Sequence, residues 1–194
     1  MSTTGPLGMK DTGFRLPVDM SRLTAVHRRS GKGFRQLDIE REDHPVRGGG
    51  GLYSTAGDYS RLLRCLMRGG ELDGVHLLSE SSIREITRNQ IGAHEARMQR
   101  TALADRSNDF IFMDGSQKFG FGVMIETRDR SDGRAAGAYS WAGIVNTYFW
   151  VDPARDLAAV LMLQLAPFAS RASVELLQRF ESAVYTDCFR ERNS

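Results

Sequence analysis

The sequence predicts an α+β fold in which helices come first, an antiparallel sheet follows, and a helix closes the chain. Three observations carry this prediction. Apolar residues recur at helical spacing after residue 55, alternating apolar runs fill residues 117–166, and helical spacing returns after residue 170. With 194 residues, 41% of them hydrophobic and 26% charged, the chain has the composition of a single globular domain over residues 1–194.

Residues 1–51 show little periodicity and are interrupted by glycine and proline, so they are predicted to be largely irregular. A stretch of this length without elements of its own is uncommon in a compact domain. We therefore expect either a functional covering loop or a segment that packs on structure outside these 194 residues.

Residues 52–116 are predicted to be the helical part of the chain. Ser54 or Thr55 offers a hydroxyl N-cap, and Asp58 places an acid in the first turn of the first helix. The apolar stripe of that helix is Tyr59, Leu62, Leu63, Leu66 and Met67. The glycine pair at 69–70 ends it, and a second helix is expected from Ser79 to near Gly92.

Residues 117–194 are predicted to form an antiparallel sheet and a closing helix. Alternating or continuous apolar runs predict strands at 119–125, 139–143, 145–151 and 157–166. The last run, Leu157 to Ala166, is apolar on both faces, which favours a strand covered on both sides. The closing helix, capped by Ser170 or Ser173, carries one apolar face made of Val174, Leu177, Phe180 and Val184.

Charge and hydropathy exclude several classes of partner. The net charge of +2 is small and evenly spread, so no nucleic-acid partner is expected. No apolar run approaches the roughly 20 residues that span a bilayer, so no membrane partner is expected. No secretory signal is visible at the N-terminus, and Cys65 and Cys188 are too few for a disulfide scaffold. A cytoplasmic location with reduced thiols is the expectation.

Motifs for metals, phosphates and nucleophiles are incomplete. His94-Glu95 begins a zinc-helix pattern, but Met98 stands where the second histidine would be, so no metal is expected. The glycine run at 48–51 lacks the residues of a phosphate loop, and no cofactor is expected. No serine has glycine two residues before and after it, which excludes the nucleophile elbow. The residues three before the lysines are Leu7, Arg29 and Gly115, so Ser-x-x-Lys is absent, as is Tyr-x-Asn. The residues therefore yield no catalytic side chain.

The order of several short motifs is nevertheless distinctive. They are Pro6-Leu7-Gly8-Met9, the run Gly48 to Tyr59, Gly69 to Gly74, Phe119 to Val123, Trp141-Ala142-Gly143 and Asn146 to Pro153. In this order, over nearly the whole chain, they resemble β-lactamase-related serine hydrolases, which include class C β-lactamases, DD-peptidases and family VIII carboxylesterases. The resemblance implies a partial β-lactamase/transpeptidase-like fold, an antiparallel sheet with flanking helices, without the N-terminal strands and the nucleophile helix.

The resemblance also implies a site. Trp141-Ala142-Gly143 stands where the family has its third motif, written Lys-Thr-Gly, His-x-Gly or Trp-x-Gly, on a strand that forms one wall of the substrate cleft. By that likeness the backbone N–H of Ile144 would face the oxyanion, and Trp141 would line the acyl pocket. The family acts on small esters, amides or lactams, and a tryptophan in place of lysine or histidine favours neutral esters.

The family's Ser-x-x-Lys and Tyr-x-Asn motifs lie N-terminal to the Pro-Leu-Gly-Met segment, which here begins at Pro6. The resemblance therefore implies the C-terminal portion of a serine hydrolase, expected to be inactive alone. Two alternatives stay open: a non-catalytic binding or association module derived from that fold, and an independent enzyme with an unrecognised site. Because Leu157 to Ala166 would lack its neighbouring strand, we expect a homo-oligomer or a complementing N-terminal fragment.

Overall fold

The computed structural model describes residues 4–17, 19–31, 33–37, 48–130 and 133–192. Three α-helices are present in these ranges: α1 (Ala56–Met67), α2 (Glu80–Ile86) and α3 (Arg171–Arg192). The strands are β1 (His27–Ser30), β2 (Gly33–Gln36), β3 (Glu71–Leu72), β4 (Val75–His76), β5 (Arg97–Gln99), β6 (Phe110–Asp114), β7 (Lys118–Phe119), β8 (Met124–Ile125), β9 (Tyr139–Ala142), β10 (Tyr148–Asp152), β11 (Leu157–Leu161) and β12 (Leu165–Ala166).

A five-stranded antiparallel sheet in the order β11-β10-β9-β8-β7 forms the centre of the fold. One face packs against α1 through Leu63, Tyr139 and Val151, which are buried together. The other face packs against α3 through Trp150 and Leu177. The predicted α+β class and the antiparallel sheet with flanking helices are thereby confirmed.

Helix α1 begins and ends as its sequence predicts. The Thr55 side chain accepts a hydrogen bond from the Asp58 backbone N–H, which satisfies one of the free donors of the first turn. After the helix, Gly69 and Gly70 both have positive φ, at 75° and 101°. A Cβ on Gly70 would lie 2.3 Å from the Leu78 carbonyl oxygen, so this turn requires glycine.

The predicted strand at 119–125 is wrong. The chain instead forms a hairpin, β7–β8, whose turn at 120–123 is anchored on α2 because the Phe121 N–H donates to the Ile86 carbonyl at 2.9 Å. A Cβ on Gly120 would lie 1.9 Å from that same carbonyl oxygen. Helix α2 ends at Ile86, the residue whose carbonyl accepts this hydrogen bond. The predicted end near Gly92 is therefore several residues too late.

The apolar run Leu157 to Ala166 is two strands and not one. β11 is an outer strand of the central sheet, whereas β12 pairs in parallel with β1 in a separate three-stranded sheet, β12-β1-β2. No strand was predicted in residues 1–51, yet β1 and β2 form a hairpin there. The stretch predicted to be helical also contains two small sheets, β3-β4 and β5-β6.

Helix α3 closes the fold. Its first turn is capped by Ser170, whose Oγ accepts from the Ser173 N–H at 3.3 Å. Val174, Leu177 and Tyr185 are buried on the side that faces the sheet. Among the described helices, none combines the length and apolar character needed to span a bilayer.

Candidate functional site

Strand β9 carries the first two residues of the Trp-Ala-Gly motif, Trp141 and Ala142, and Gly143 follows its end. The chain then reverses through a turn in which the Asn146 N–H donates to the Gly143 carbonyl at 2.9 Å. The Gly143 N–H donates to the Thr147 carbonyl at 2.7 Å and continues the pairing with β10. The predicted third strand therefore begins at Tyr148, because the residues before it form this turn.

The Ile144 backbone N–H points out of that turn. The C=O and N–H of a trans peptide unit point in opposite directions. Because the Gly143 carbonyl is turned inward to accept from Asn146, the N–H of the same peptide unit is directed outward. Across the described ranges this N–H donates to no protein acceptor, and the Ile144 side chain is 62% exposed.

The Trp141 side chain is half-buried in an aromatic group at this end of the sheet. Its ring lies 5.2 Å from the Phe119 ring in an edge-to-face arrangement, and 5.5 Å from the Phe110 ring at 51°. Phe110 in turn stacks on Phe168 at 5.6 Å. These contacts hold the indole against β7 and β6, and leave part of its surface uncovered.

The cavity beside Trp141 is small. The cavity that adjoins Trp141 and Ala142 holds about 40 Å³, which is room for about one water molecule. Its polar lining includes Arg134, Ser140 and Glu181. A larger, shallow depression of about 470 Å³ follows the polar side of α3 between Glu175 and Asp187 and takes no residue from the sheet.

A buried ionic cluster lies between β9 and α3. Arg134 Nη1 donates to Ser140 Oγ at 2.8 Å, and Nη2 donates to Glu181 Oε2 at 3.0 Å. Arg134 Nη1 also lies 3.8 Å from Glu126 Oε1. One guanidinium therefore joins the strand that carries Trp141 to the closing helix.

The segment before the first strand is fixed to the start of α1. Asp58 Oδ2 accepts from the Asp11 N–H at 2.7 Å and from Thr12 Oγ1 at 2.8 Å. Hydrogen bonding from Arg22 lowers the pKa of the Asp11 carboxyl. Thr12 Oγ1 also contacts Ser54 Oγ at 2.8 Å. These hydroxyls meet a carboxylate and no lysine amine, so the cluster anchors the segment and does not build an activated nucleophile.

Asn146 is the residue at this site that sequence reasoning missed. Asn146 falls in the predicted strand 145–151 and in the motif Asn146 to Pro153, whereas the structure places it at the end of the turn in a left-handed conformation, φ 65°. An asparagine between two apolar runs is a turn signal that could have located it.

Within the described ranges no group of three or more histidine, cysteine or carboxylate side chains is placed to hold a metal.

Comparison with known protein families shows the class of protein to which this fold and this order of motifs belong. Residues 2–183 match the family profile described as Beta-lactamase, which is most of the chain. The chain belongs to the β-lactamase family, and the predicted resemblance to its serine hydrolases is confirmed.

The chain is also similar to individual proteins of known sequence or structure. It is 30% identical over 185 residues to an uncharacterised protein from Mycobacterium tuberculosis, covering 84% of this chain and 41% of that protein. It is 25% identical over 199 residues to monacolin J acid methylbutanoyltransferase from Aspergillus terreus, covering 93% of this chain and 46% of that one. The structure of simvastatin synthase from Aspergillus terreus superimposes with a TM-score of 0.73 at 22% identity, covering 95% and 48%. The chain thus spans less than half the length of each of these three proteins.

Proposed function

We propose that this chain supplies one wall and one oxyanion donor of a serine acyl-transfer site, whose nucleophile comes from polypeptide outside these 194 residues. The observation that carries the proposal is the Ile144 N–H, which points out of the β9–β10 turn beside Trp141 without a protein acceptor in the described ranges. The M. tuberculosis and A. terreus relatives are more than twice as long as the stretch matched here, which is consistent with a part of a larger catalytic domain. The A. terreus relative is named as a methylbutanoyltransferase, and methylbutanoyl transfer is an acyl transfer.

The chemistry assigned to this chain is electrostatic. When a serine oxygen attacks an acyl carbon, the carbonyl oxygen gains negative charge, and a backbone N–H aimed at it lowers the barrier by about 3 kcal/mol. The base that deprotonates such a serine is not found here, because Lys118 donates to the His94 carbonyl at 2.7 Å and no serine lies three residues before any lysine. We therefore propose that the chain alone turns over no ester, amide or lactam.

Neutral esters are the proposed substrate class. Trp141 presents an aromatic surface where lysine or histidine would present a charge to a substrate carboxylate. Ala142 adds a methyl group and no hydrogen-bond donor in its side chain. The polypeptide that supplies the nucleophile would complete the acyl pocket, because the cavity beside the indole holds only about 40 Å³.

Reconstitution tests the proposal. A chromogenic ester and a chromogenic cephalosporin are assayed with the chain alone and after addition of the N-terminal part of the M. tuberculosis relative. We expect background rates alone and ester turnover in the mixture. Turnover or fluorophosphonate labelling of the chain alone would contradict the assignment of the nucleophile. A stable complex without turnover would instead favour the non-catalytic binding module.

A substitution at Ile144 tests the donor within the reconstituted enzyme. Ile144→Pro removes the N–H at the second residue of the turn, where proline is well tolerated. Loss of one oxyanion donor lowers kcat by about 10²–10³. Ile144→Ala keeps the N–H and is the matched control, with kcat expected within a few-fold of the parent.

A further inference from the structure

The turn between β9 and β10 is built around one buried side chain, that of Asn146. This residue is 0% exposed, and its backbone lies in the left-handed region at φ 65°. Asparagine enters this region more readily than most residues, so the backbone and the side chain favour the same residue. A buried amide is costly unless its donors and acceptors find partners.

Every hydrogen-bonding position of the Asn146 amide is used. Nδ2 donates to the Leu165 carbonyl at 2.6 Å and to the Pro167 carbonyl at 3.0 Å. Oδ1 accepts from the Tyr148 hydroxyl at 2.6 Å and from the Ala169 N–H at 2.9 Å. An amide has two donor hydrogens and one oxygen with two acceptor sites, so the set is complete.

These bonds tie the turn to the segment at 165–169. The Leu165 N–H adds a fourth link by donating to the Val145 carbonyl at 3.2 Å. Within the turn, the Asn146 N–H holds the Gly143 carbonyl inward, and that carbonyl sets the direction of the Ile144 N–H. The orientation of the proposed oxyanion donor therefore depends on where Asn146 is held.

We propose that Asn146 is a positioning residue, whose amide network fixes the Gly143–Ile144 peptide unit with its N–H outward. The catalytic meaning of this inference rests on the proposed function, because Ile144 supplies the donor. The claim that Asn146 fixes the direction of the Ile144 N–H does not rest on the proposed function, since it can be measured in the chain alone without turnover. A failure of reconstitution and a failure of this positioning are thus separate results.

The experiment is amide NMR of the full chain with Asn146→Asp and Asn146→Gly. Asn146→Asp keeps the size of the side chain but replaces two donors with an oxygen that faces two carbonyls. Asn146→Gly keeps the left-handed backbone and removes the network. In both, we expect the Ile144 amide resonance to shift and its order parameter to fall from about 0.85 towards 0.6. Exchange of the Asn146 and Leu165 N–H should accelerate about tenfold, with the centre of β10 unchanged.

Two controls make the result specific. Asp156→Asn changes a second left-handed position, at φ 49°, next to the opposite end of β10, and should leave the Ile144 amide unmoved. Lowering the pH protonates the carboxyl of the Asn146→Asp variant and restores one donor, so the Ile144 resonance should move back towards its parent position.

The outcomes decide the proposal in each case. An Ile144 amide that is unmoved in folded Asn146→Asp and Asn146→Gly overturns it. Equal changes across α1 and β11 also overturn it, because Asn146 would then be an ordinary core residue. If Asn146→Asp does not fold, Asn146→Gly and Tyr148→Phe decide, and Tyr148→Phe should give a smaller shift in the same direction because it removes one bond of the four.

Discussion

The Arg134 guanidinium carbon lies 5.2 Å from the centre of the Trp150 ring, between the central sheet and α3. Trp150 is fully buried in the middle of β10, and the same guanidinium donates to Ser140 on β9 and Glu181 on α3. A cation over an indole and two hydrogen bonds thus join two strands and a helix. Because Ser140 precedes Trp141, this cluster supports the strand of the candidate site from the α3 side.

Removing the Arg134 charge should destabilise the fold strongly. Arg134→Met leaves the buried carboxylates of Glu126 and Glu181 without their shared partner, and breaking a buried pair in this way costs about 3–5 kcal/mol. The free energy of unfolding from denaturant titration measures the effect. Arg171→Met removes an exposed partner of Glu175 at the start of α3, and should change the free energy of unfolding far less, because solvent screens the pair. Equal effects of the two substitutions would contradict the role of the buried cluster.

Helices and strands that bury one face could be predicted from the sequence. Exposed strands, and strands that follow one another within one apolar run, could not. The stripe Tyr59 to Met67 predicted α1, because a helix that buries one face repeats its apolar residues every three or four positions. β2 is exposed at every residue, so it leaves no apolar pattern to find. The run 157–166 is apolar except for Gln164, and this single polar residue does not reveal that β11 ends at Leu161 and that β12 joins another sheet.

The site was predictable only in part for a related reason. Trp141 and Ala142 fall on a strand that the alternation located. The turn that directs the Ile144 N–H depends on contacts between Asn146 and residues 19–23 positions away, which no local pattern contains.

Stability should fall at alkaline pH because three buried tyrosines resist ionisation. Burial raises the pKa of Tyr139, Tyr148 and Tyr185 above the ordinary value, and the carboxylate of Asp152 raises that of Tyr185 further. The unfolded chain releases these protons near pH 10, whereas the folded chain keeps them, so the unfolded state binds fewer protons and the free energy of unfolding falls as pH rises above about 10. Denaturant titrations from pH 8 to 11 measure this slope.

The same titration of Tyr185→Phe provides the control. The substitution removes one of the three ionisable phenols, so its slope above pH 10 should be shallower than that of the parent chain. A parent chain whose stability stays constant up to pH 11 would show that these hydroxyls do not remain protonated in the folded state.

Gly120→Ala should loosen the β7–β8 hairpin from α2. The new Cβ would lie 1.9 Å from the Ile86 carbonyl oxygen, which is backbone and cannot move aside as a side chain can. Overpacking of this kind costs about 1–3 kcal/mol, and the Phe121 N–H bond to Ile86 should be lost with it. Faster hydrogen exchange at Phe121 reports the change. Gly33→Ala adds a methyl group with nothing within 4 Å and should leave both stability and Phe121 exchange unchanged.

The edge of the central sheet at β11 should pair with another chain. β11 is hydrogen-bonded to β10 on one side, and no described strand lies on its other side. Its residues pack on α1 and α3, and four of the five are only partly covered. An edge strand with free backbone N–H and C=O groups and no charged residue can pair with a strand of another chain. We therefore expect the apparent mass from light scattering to rise with protein concentration, through association of two copies, and to fall when a complementing N-terminal fragment occupies the edge.

A lysine substitution on β11 distinguishes association through this strand from nonspecific aggregation. Ala158→Lys places an ammonium on β11 at a partly covered position, and charged edge residues discourage pairing. Ala154→Lys adds the same charge in the exposed turn between β10 and β11, outside the strand. We expect the first variant to stay monomeric at concentrations where the second associates like the parent. A parent chain that remains monomeric, with slow hydrogen exchange along residues 157–161, would mean that the edge is already covered within the chain itself.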